Sequence, residues 1–244
     1  MTKTTYIPVF WQRLIVAFAL FVTGAFMASA KSASLSEKAW SDILATYVVE
    51  GPDGLNRVDY AALKASEADQ DKLDAYIAQY ADLDFDNLSR DAQFAAWANL
   101  YNAVTVRYIV SKYPLATIKP WYSSGPWKDI KVRADGQNIS LHGIEHDILR
   151  KQWADDPRLH YAINCASYSC PNLRTAPWTA KTLDADLDAA ASDYINDPRG
   201  VTVKWNGLEV SSIYDWFEKD FGGNKEAVVA HILDYAERPL AEKI

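Results

Sequence analysis

"RDAQFAAWANLYNAVTVRYIVSKY", Arg90 to Tyr113, decides the fold. Ser89 stands before it as an N-cap and Pro114 after it as a stop, so the spacing predicts one long helix. Phe94, Trp97, Tyr101, Val104 and Tyr108 make a broad apolar face, while Ala95, Ala98 and Ala103 let neighbours approach closely. A helix apolar nearly all round belongs at the centre of a domain. Asn99 and Asn102 are three apart, on one face of that helix. Buried amides need partners. Two roles stay open for them: tying loops to the helix, or orienting a catalytic histidine and donating to a developing oxyanion.

Upstream, Leu35, Trp40, Ile43, Leu44 and Tyr47 recur at helical spacing behind Ser34 or Ser36 as N-cap. "GPDGLNRVDY" breaks the pattern, and Leu73, Tyr76, Ile77 and Tyr80 mark a second helix. Downstream, "IKVRADGQNISL" has alternating runs around Asp135-Gly136, the signal of a type I′ hairpin. "SLHGIEHDILRKQW" reads as a helix from Ser140, and "RLHYAIN" alternates like a strand. "TAKTLDADLDAAASDYI" predicts a helix starting near Thr179 or Thr182, and Asn206-Gly207 turns a second hairpin. "SSIYDWFEKDFGG" predicts a helix closed by Gly222-Gly223, and a last helix runs through Val228, Val229, Ile232 and Leu233. The pattern is α+β: a mostly helical single domain, with a small antiparallel sheet of hairpins and strand packed on the long central helix.

The first thirty residues read as a secretory signal peptide. Lys3 and Arg13 are followed by an uncharged run from Leu14 to Met27 and a small-x-small site at Ala28-Ser29-Ala30. The run is shorter than the roughly 20 residues a spanning helix wants. The expectation is therefore residues 1–30 as a removed leader, residues 31–244 as one globular domain, a periplasmic or secreted location, and no stable membrane insertion after removal. The leader holds two cations and no acid, so the net charge of −7 becomes −9 for the remaining chain. Such a chain repels polyanions, and nucleic acid is not an expected partner. Nine Trp and fourteen Tyr fit a large aromatic core or a stacking platform for sugars or peptides.

"HYAINCASYSCPNL", His160 to Leu173, holds the only two cysteines, Cys165 and Cys170. An exported chain meets an oxidising space, so a disulfide is allowed. A nucleophilic thiol is also allowed, because Cys165 sits between an expected strand and a loop. Buried inert cysteines are the third reading. Metal ligation is weak, because no second Cys or His pair follows. A thiol enzyme needs a base. His160 is near in sequence, but five residues of strand would put it about 16 Å from Cys165, on the opposite face. His146 in "HGIEH" is the better base. That string also matches H-x-x-E-H, an inverted zinc-protease motif in which His142 and His146 would grip one ion, with Glu218 or Glu226 as further ligand.

Taken together, "AWANLYNAVTVRYIVSKYPLATIK", "ISLHGIEHDILR" and "DPRLHYAINCASYSCPNL", in that order, resemble the domain of unknown function 547 family. "LEVSSIYDWFEKDFGG" resembles its closing segment, so the likeness covers about residues 90 to 222. It implies a compact secreted or domain-embedded module of unassigned biochemistry. The matching positions run from Trp97, Asn99, Tyr101 and Asn102, through Glu145, His146 and Arg150, to Asp156, Pro157, Arg158, His160, Asn164, Cys165, Ser169, Cys170 and Pro171. His142 is outside the pattern, which weakens the zinc reading. The family also implies intracellular plant proteins with the same paired cysteines, which shifts weight from a disulfide toward a thiol or a packed loop.

The leading expectation is a thiol-dependent acyl-transfer enzyme acting on peptide or amide bonds. Cys165 is its nucleophile, His146 its base, and Glu145, Asn99 or Asn102 the orienting or oxyanion-binding groups; His160 and Cys170 complete the candidate set. No cofactor and no metal is expected. The rival is a non-catalytic envelope module binding a peptide, a glycan or a protein, and a zinc hydrolase through His142 and His146 is the third option.

Overall fold

The computed structural model describes residues 35–119 and 125–244, and the expected leader lies outside them. The first helix, α1 (Lys38–Tyr47), buries Trp40, Ile43, Leu44 and Tyr47, as their spacing predicts. Its N-cap is Glu37, whose side chain makes no capping bond and instead accepts from the Tyr76 hydroxyl at 2.7 Å; Ser36 gives its backbone N–H to Gln79, and Ser34 lies outside the described residues. The "GPDGLNRV" break is a turn between two short strands, β1 (Val48–Glu50) and β2 (Asn56–Val58). Helices α2 (Tyr60–Ala65) and α3 (Glu67–Ala78) follow, capped by the side chains of Asp59 and Ser66.

The long helix forms as α4 (Arg90–Lys112), with Ser89 Oγ accepting from the Ala92 N–H at 3.3 Å. Every residue from Phe94 to Val106 is buried. Its Trp97 lies flat on Phe85, ring centroids 3.9 Å apart. The main apolar core wraps this helix, and a second core gathers Tyr161, Tyr194, Tyr214, Phe221 and Ile232.

Both expected hairpins form. In β3 (Lys131–Ala134) and β4 (Gln137–Ser140) the turn residues Asp135 and Gly136 have φ of 50° and 68°, as a type I′ turn requires. Ser140 is at once the last residue of β4 and the cap of the next helix, its Oγ accepting from the Gly143 N–H at 3.0 Å. The strand thus runs into α5 (Leu141–Gly143) without a loop. A side chain at Gly143 would put a Cβ 2.9 Å from Ile139, so only glycine lets strand and helix meet this closely. Residues Ile144–Leu149 then wind as a π-helix before α6 (Arg150–Gln152).

The "RLHYAIN" stretch is not a strand. It forms a short helix, α7 (Leu159–Ala162), started by Asp156, whose Oδ1 accepts from the Arg158 N–H at 3.0 Å. Leu159 to Ile163 are all buried, so the alternation in that stretch did not distinguish two faces. Next come α8 (Leu183–Asn196), the hairpin of β5 (Val201–Lys204) and β6 (Gly207–Val210), a short α9 (Ile213–Trp216), α10 (Lys225–Tyr235) and α11 (Arg238–Ala241). The fold is α+β and mostly helical. Among the described residues its strands make three separate two-stranded antiparallel ribbons rather than one sheet, because the expected linking strand is helical. Among the described residues, no helix is long and apolar enough to cross a membrane.

The two helix amides fasten loops. Asn99 donates to the Trp178 carbonyl and accepts from the Trp178 N–H, both at 2.9 Å. Asn102 donates to the Ala162 carbonyl at 2.9 Å and accepts from the Asn164 N–H at 2.8 Å. Replacing Asn99 by Ala strands both backbone groups of Trp178 in the core. The expected loss is about 3 kcal/mol, from two buried unpaired groups, read as a lower urea midpoint at unchanged slope.

Candidate active site

A cleft of about 780 Å³ opens between the π-helical turn, the cysteine loop and α9. It brings together Tyr101, His142, Glu145, His146, His160, Cys165 and Cys170, with Trp127, Tyr168, Trp216 and Phe217 as aromatic wall. Tyr168 and Trp216 are 74% and 64% exposed, which places apolar surface at the rim where a ligand would touch first. Neighbouring residues on an α-helix diverge by about 100°, which would split Glu145 from His146. The wider i→i+5 winding turns less per residue, so both line the same cleft.

Behind the wall runs a chain of charged and polar groups from three segments. Arg150 grips Asp220 with two nitrogens at 2.5 and 2.9 Å. Asp220 also takes the Nε2–H of His160 at 2.8 Å. A further Arg150 N–H lies 2.8 Å from His146 Nδ1. A guanidinium only donates, so Nδ1 is the acceptor and the neutral His146 carries its proton on Nε2. Burial pushes the His146 pKa down to about 4, helped by the charges of His142 and Arg150, so the ring is neutral at pH 7. The geometry leaves His146 a hydrogen-bond donor at Nε2, with its basic nitrogen engaged by Arg150.

Burial raises Glu145 to a pKa of about 7, against the lowering effects of the Tyr101 hydroxyl, 3.3 Å from Oε2, and of Arg150. Its other oxygen is 4.0 Å from His146 Nε2, beyond hydrogen-bond range. Burial also lowers His160, opposed by its bond to Asp220. Asp220 is opposite in sense: burial works against its charge, but the bonds from His160 and Arg150 prevail and hold it well below the usual carboxylate range. A carboxylic acid poised near neutrality beside a neutral N–H donor can take and return one proton.

The two cysteines are bonded to each other. A disulfide sulfur is an electrophile, so the expected Cys165 nucleophile does not exist in this state, and Cys170 is likewise engaged. Neither sulfur is hydrogen-bonded to an imidazole; Cys170 Sγ accepts from the Cys165 N–H at 3.3 Å. Nor do Asn99 and Asn102 serve an oxyanion or a histidine, since their amides are spent on backbone groups. His142 and His146 do adjoin, ring centroids 4.2 Å apart. Among the described residues, however, no three His, Cys, Asp or Glu side chains are grouped to hold a metal, Glu218 and Glu226 included.

Residues 85–195 match a family model described as "Protein of unknown function, DUF547". The chain carries a DUF547 domain. No curated protein and no solved structure matches it. The DUF547 match takes in α4, the π-helical turn, the cysteine loop and α8, and it ends before α9. Phe217 and Trp216 therefore line the cleft, and Asp220 backs it, from outside the matched stretch. Sequence reasoning missed Asp220. The one signal was its place in "EKDFGG", an aspartate followed by Phe221 and the glycines that end the segment.

Asp220→Asn leaves the Arg150 and His160 groups without their counter-charge. The expected cost at pH 7 is about 3 kcal/mol, the scale of breaking a buried pair from one side. A depressed carboxylate contributes stability above its unfolded pKa, near 4, and loses it as pH falls through the folded value. Wild type should therefore lose stability steeply on acidification below pH 4, and the Asn variant less so, in urea titrations across that range.

Proposed function

We propose that the cleft is the active site of a hydrolase-like enzyme acting on amide or ester carbonyls, with Glu145 as its general acid–base. The observation that carries this reading is one carboxyl, poised near neutral pH, in the same concavity as a neutral His146 whose free N–H is on Nε2. Water attacks the carbonyl carbon and gives its proton to Glu145. The Nε2–H of His146 stabilises the developing oxyanion, and Glu145 returns the proton to the departing amine or alcohol. Arg150 and Asp220 are positioning residues that fix the tautomer.

The carboxylate count favours a carbonyl over a glycosidic bond. Glycoside hydrolysis commonly needs two carboxyls flanking the bond. Glu145 is the one acidic residue among the cleft's described lining, and Asp220 is committed behind the wall. The rim aromatics suit an extended peptide or an aromatic acyl group. We place the enzyme outside the cytoplasm on the leader pattern of residues 1–30.

The test is turnover of p-nitrophenyl acyl esters and fluorogenic peptide amides. The rate should rise with pH through about 7, because the base must be ionised, and Glu145→Gln should cost roughly 10²–10⁴-fold at unchanged fold. Aromatic peptides that bind the cleft of wild type and of Glu145→Gln equally, without any cleavage, would instead establish a binding module.

A further inference from the structure

The disulfide is set in the wall of the cleft, where a purely structural link has no reason to be. A short closed loop gains only about 2 kcal/mol from cross-linking by the chain-entropy estimate, and this loop is held by other means. Asn164 donates to the Pro171 carbonyl and accepts from the Ala166 N–H, both at 2.7 Å. Tyr194 donates to the Ser169 carbonyl at 2.5 Å, and Arg199 to the Tyr168 and Cys170 carbonyls at 3.2 and 3.0 Å. The loop can therefore keep its shape with the bond open.

The two sulfurs are not equivalent. Both residues line the cleft, but Cys165 is half-buried whereas Cys170 is buried, 8% exposed. The Cys165 N–H donates to Cys170 Sγ. A hydrogen bond to the charged form favours it, so Cys170 is the better leaving thiolate and Cys165 the reachable electrophile.

We propose that Cys165–Cys170 is an exchangeable disulfide through which the cleft oxidises the thiols of a cysteine-containing peptide. A substrate thiol gives its proton to solvent, and its sulfur attacks Cys165 Sγ. The Cys165–Cys170 bond breaks, and Cys170 leaves as a thiolate that then takes up a proton. A second thiol of the same peptide, deprotonated in turn, attacks the peptide sulfur of the mixed disulfide; the bond to Cys165 breaks, and Cys165 leaves as a thiolate that takes up a proton. The peptide becomes a disulfide, oxidised by two electrons, and the cysteine pair is reduced by the same two. A small-molecule disulfide such as oxidised glutathione reoxidises the pair. A peptide is favoured over a free small thiol by the cleft's volume of about 780 Å³ and by the exposed Tyr168 and Trp216 that line it. The inference does not rest on the role of Glu145.

Oxidised wild type is mixed with an equimolar reduced peptide holding two cysteines flanked by aromatic residues, and separately with reduced glutathione. The peptide should lose two hydrogens while two protein thiols become reactive to iodoacetamide, faster than with glutathione and without loss of near-ultraviolet circular dichroism. In the reverse direction, reduced Cys170→Ser should trap a mixed disulfide with the oxidised peptide at Cys165, and Cys165→Ser should not. A native disulfide that survives both thiols and opens only on denaturation overturns the proposal. Glutathione reacting as fast as the peptide overturns its peptide part, and equal trapping by the two variants overturns the assignment of the attacked sulfur. If a variant does not fold, the wild-type arm decides alone.

Discussion

A helix buried on every side can place a polar side chain only against another part of the chain, and α4 meets that constraint twice. Asn99 closes on both backbone groups of Trp178, and Asn102 reaches Ala162 and Asn164. Unpaired, each amide would destabilise the core; paired, each dictates where a distant segment passes. The second bracket matters most, because Asn164 is followed at once by Cys165. The central helix thereby sets the start of the cysteine loop, and Asn164 carries the setting forward to Ala166 and Pro171.

The same logic of compensated burial organises the cleft. Asp220 stays charged because Arg150 and His160 hold it, and Arg150 in turn fixes the proton of His146. Among the described residues Glu145 receives no comparable partner; its bond from Tyr101 is long, and the desolvated carboxyl moves toward neutrality. Two acids within one site are thus driven in opposite directions by their surroundings alone.

Much of the architecture was legible because its signals are local. Ser89 and Pro114 bound the long helix, Asp135-Gly136 turns its hairpin, and the second hairpin forms with its turn at Trp205-Asn206, one residue before the expected Asn206-Gly207. The alternation of Leu159, Tyr161 and Ile163 misled because alternation diagnoses a strand only when one face is wet, and here His160 and Ala162 are buried too. The separate ribbons follow from that same error. The candidate site was legible as a set of residues, since Glu145, His146, His160 and both cysteines do share a cleft. Their roles were not. The tautomer of His146 depends on an arginine held by an aspartate 70 residues further along, and the joint presentation of Glu145 and His146 depends on a π turn, which has no signature in residue spacing. Cysteine spacing could not say whether the sulfurs were joined.

Because Ser140 both ends β4 and caps the helix that follows, there is no slack between the 131–140 hairpin and the turn bearing Glu145 and His146. The hairpin is anchored at its far end as well, where the Asp135 and Gly136 N–H groups donate to the Tyr80 and Ala81 carbonyls at 3.0 Å. The turn bearing Glu145 and His146 is thereby tied through the hairpin to the segment that ends the second helical stretch of the sequence.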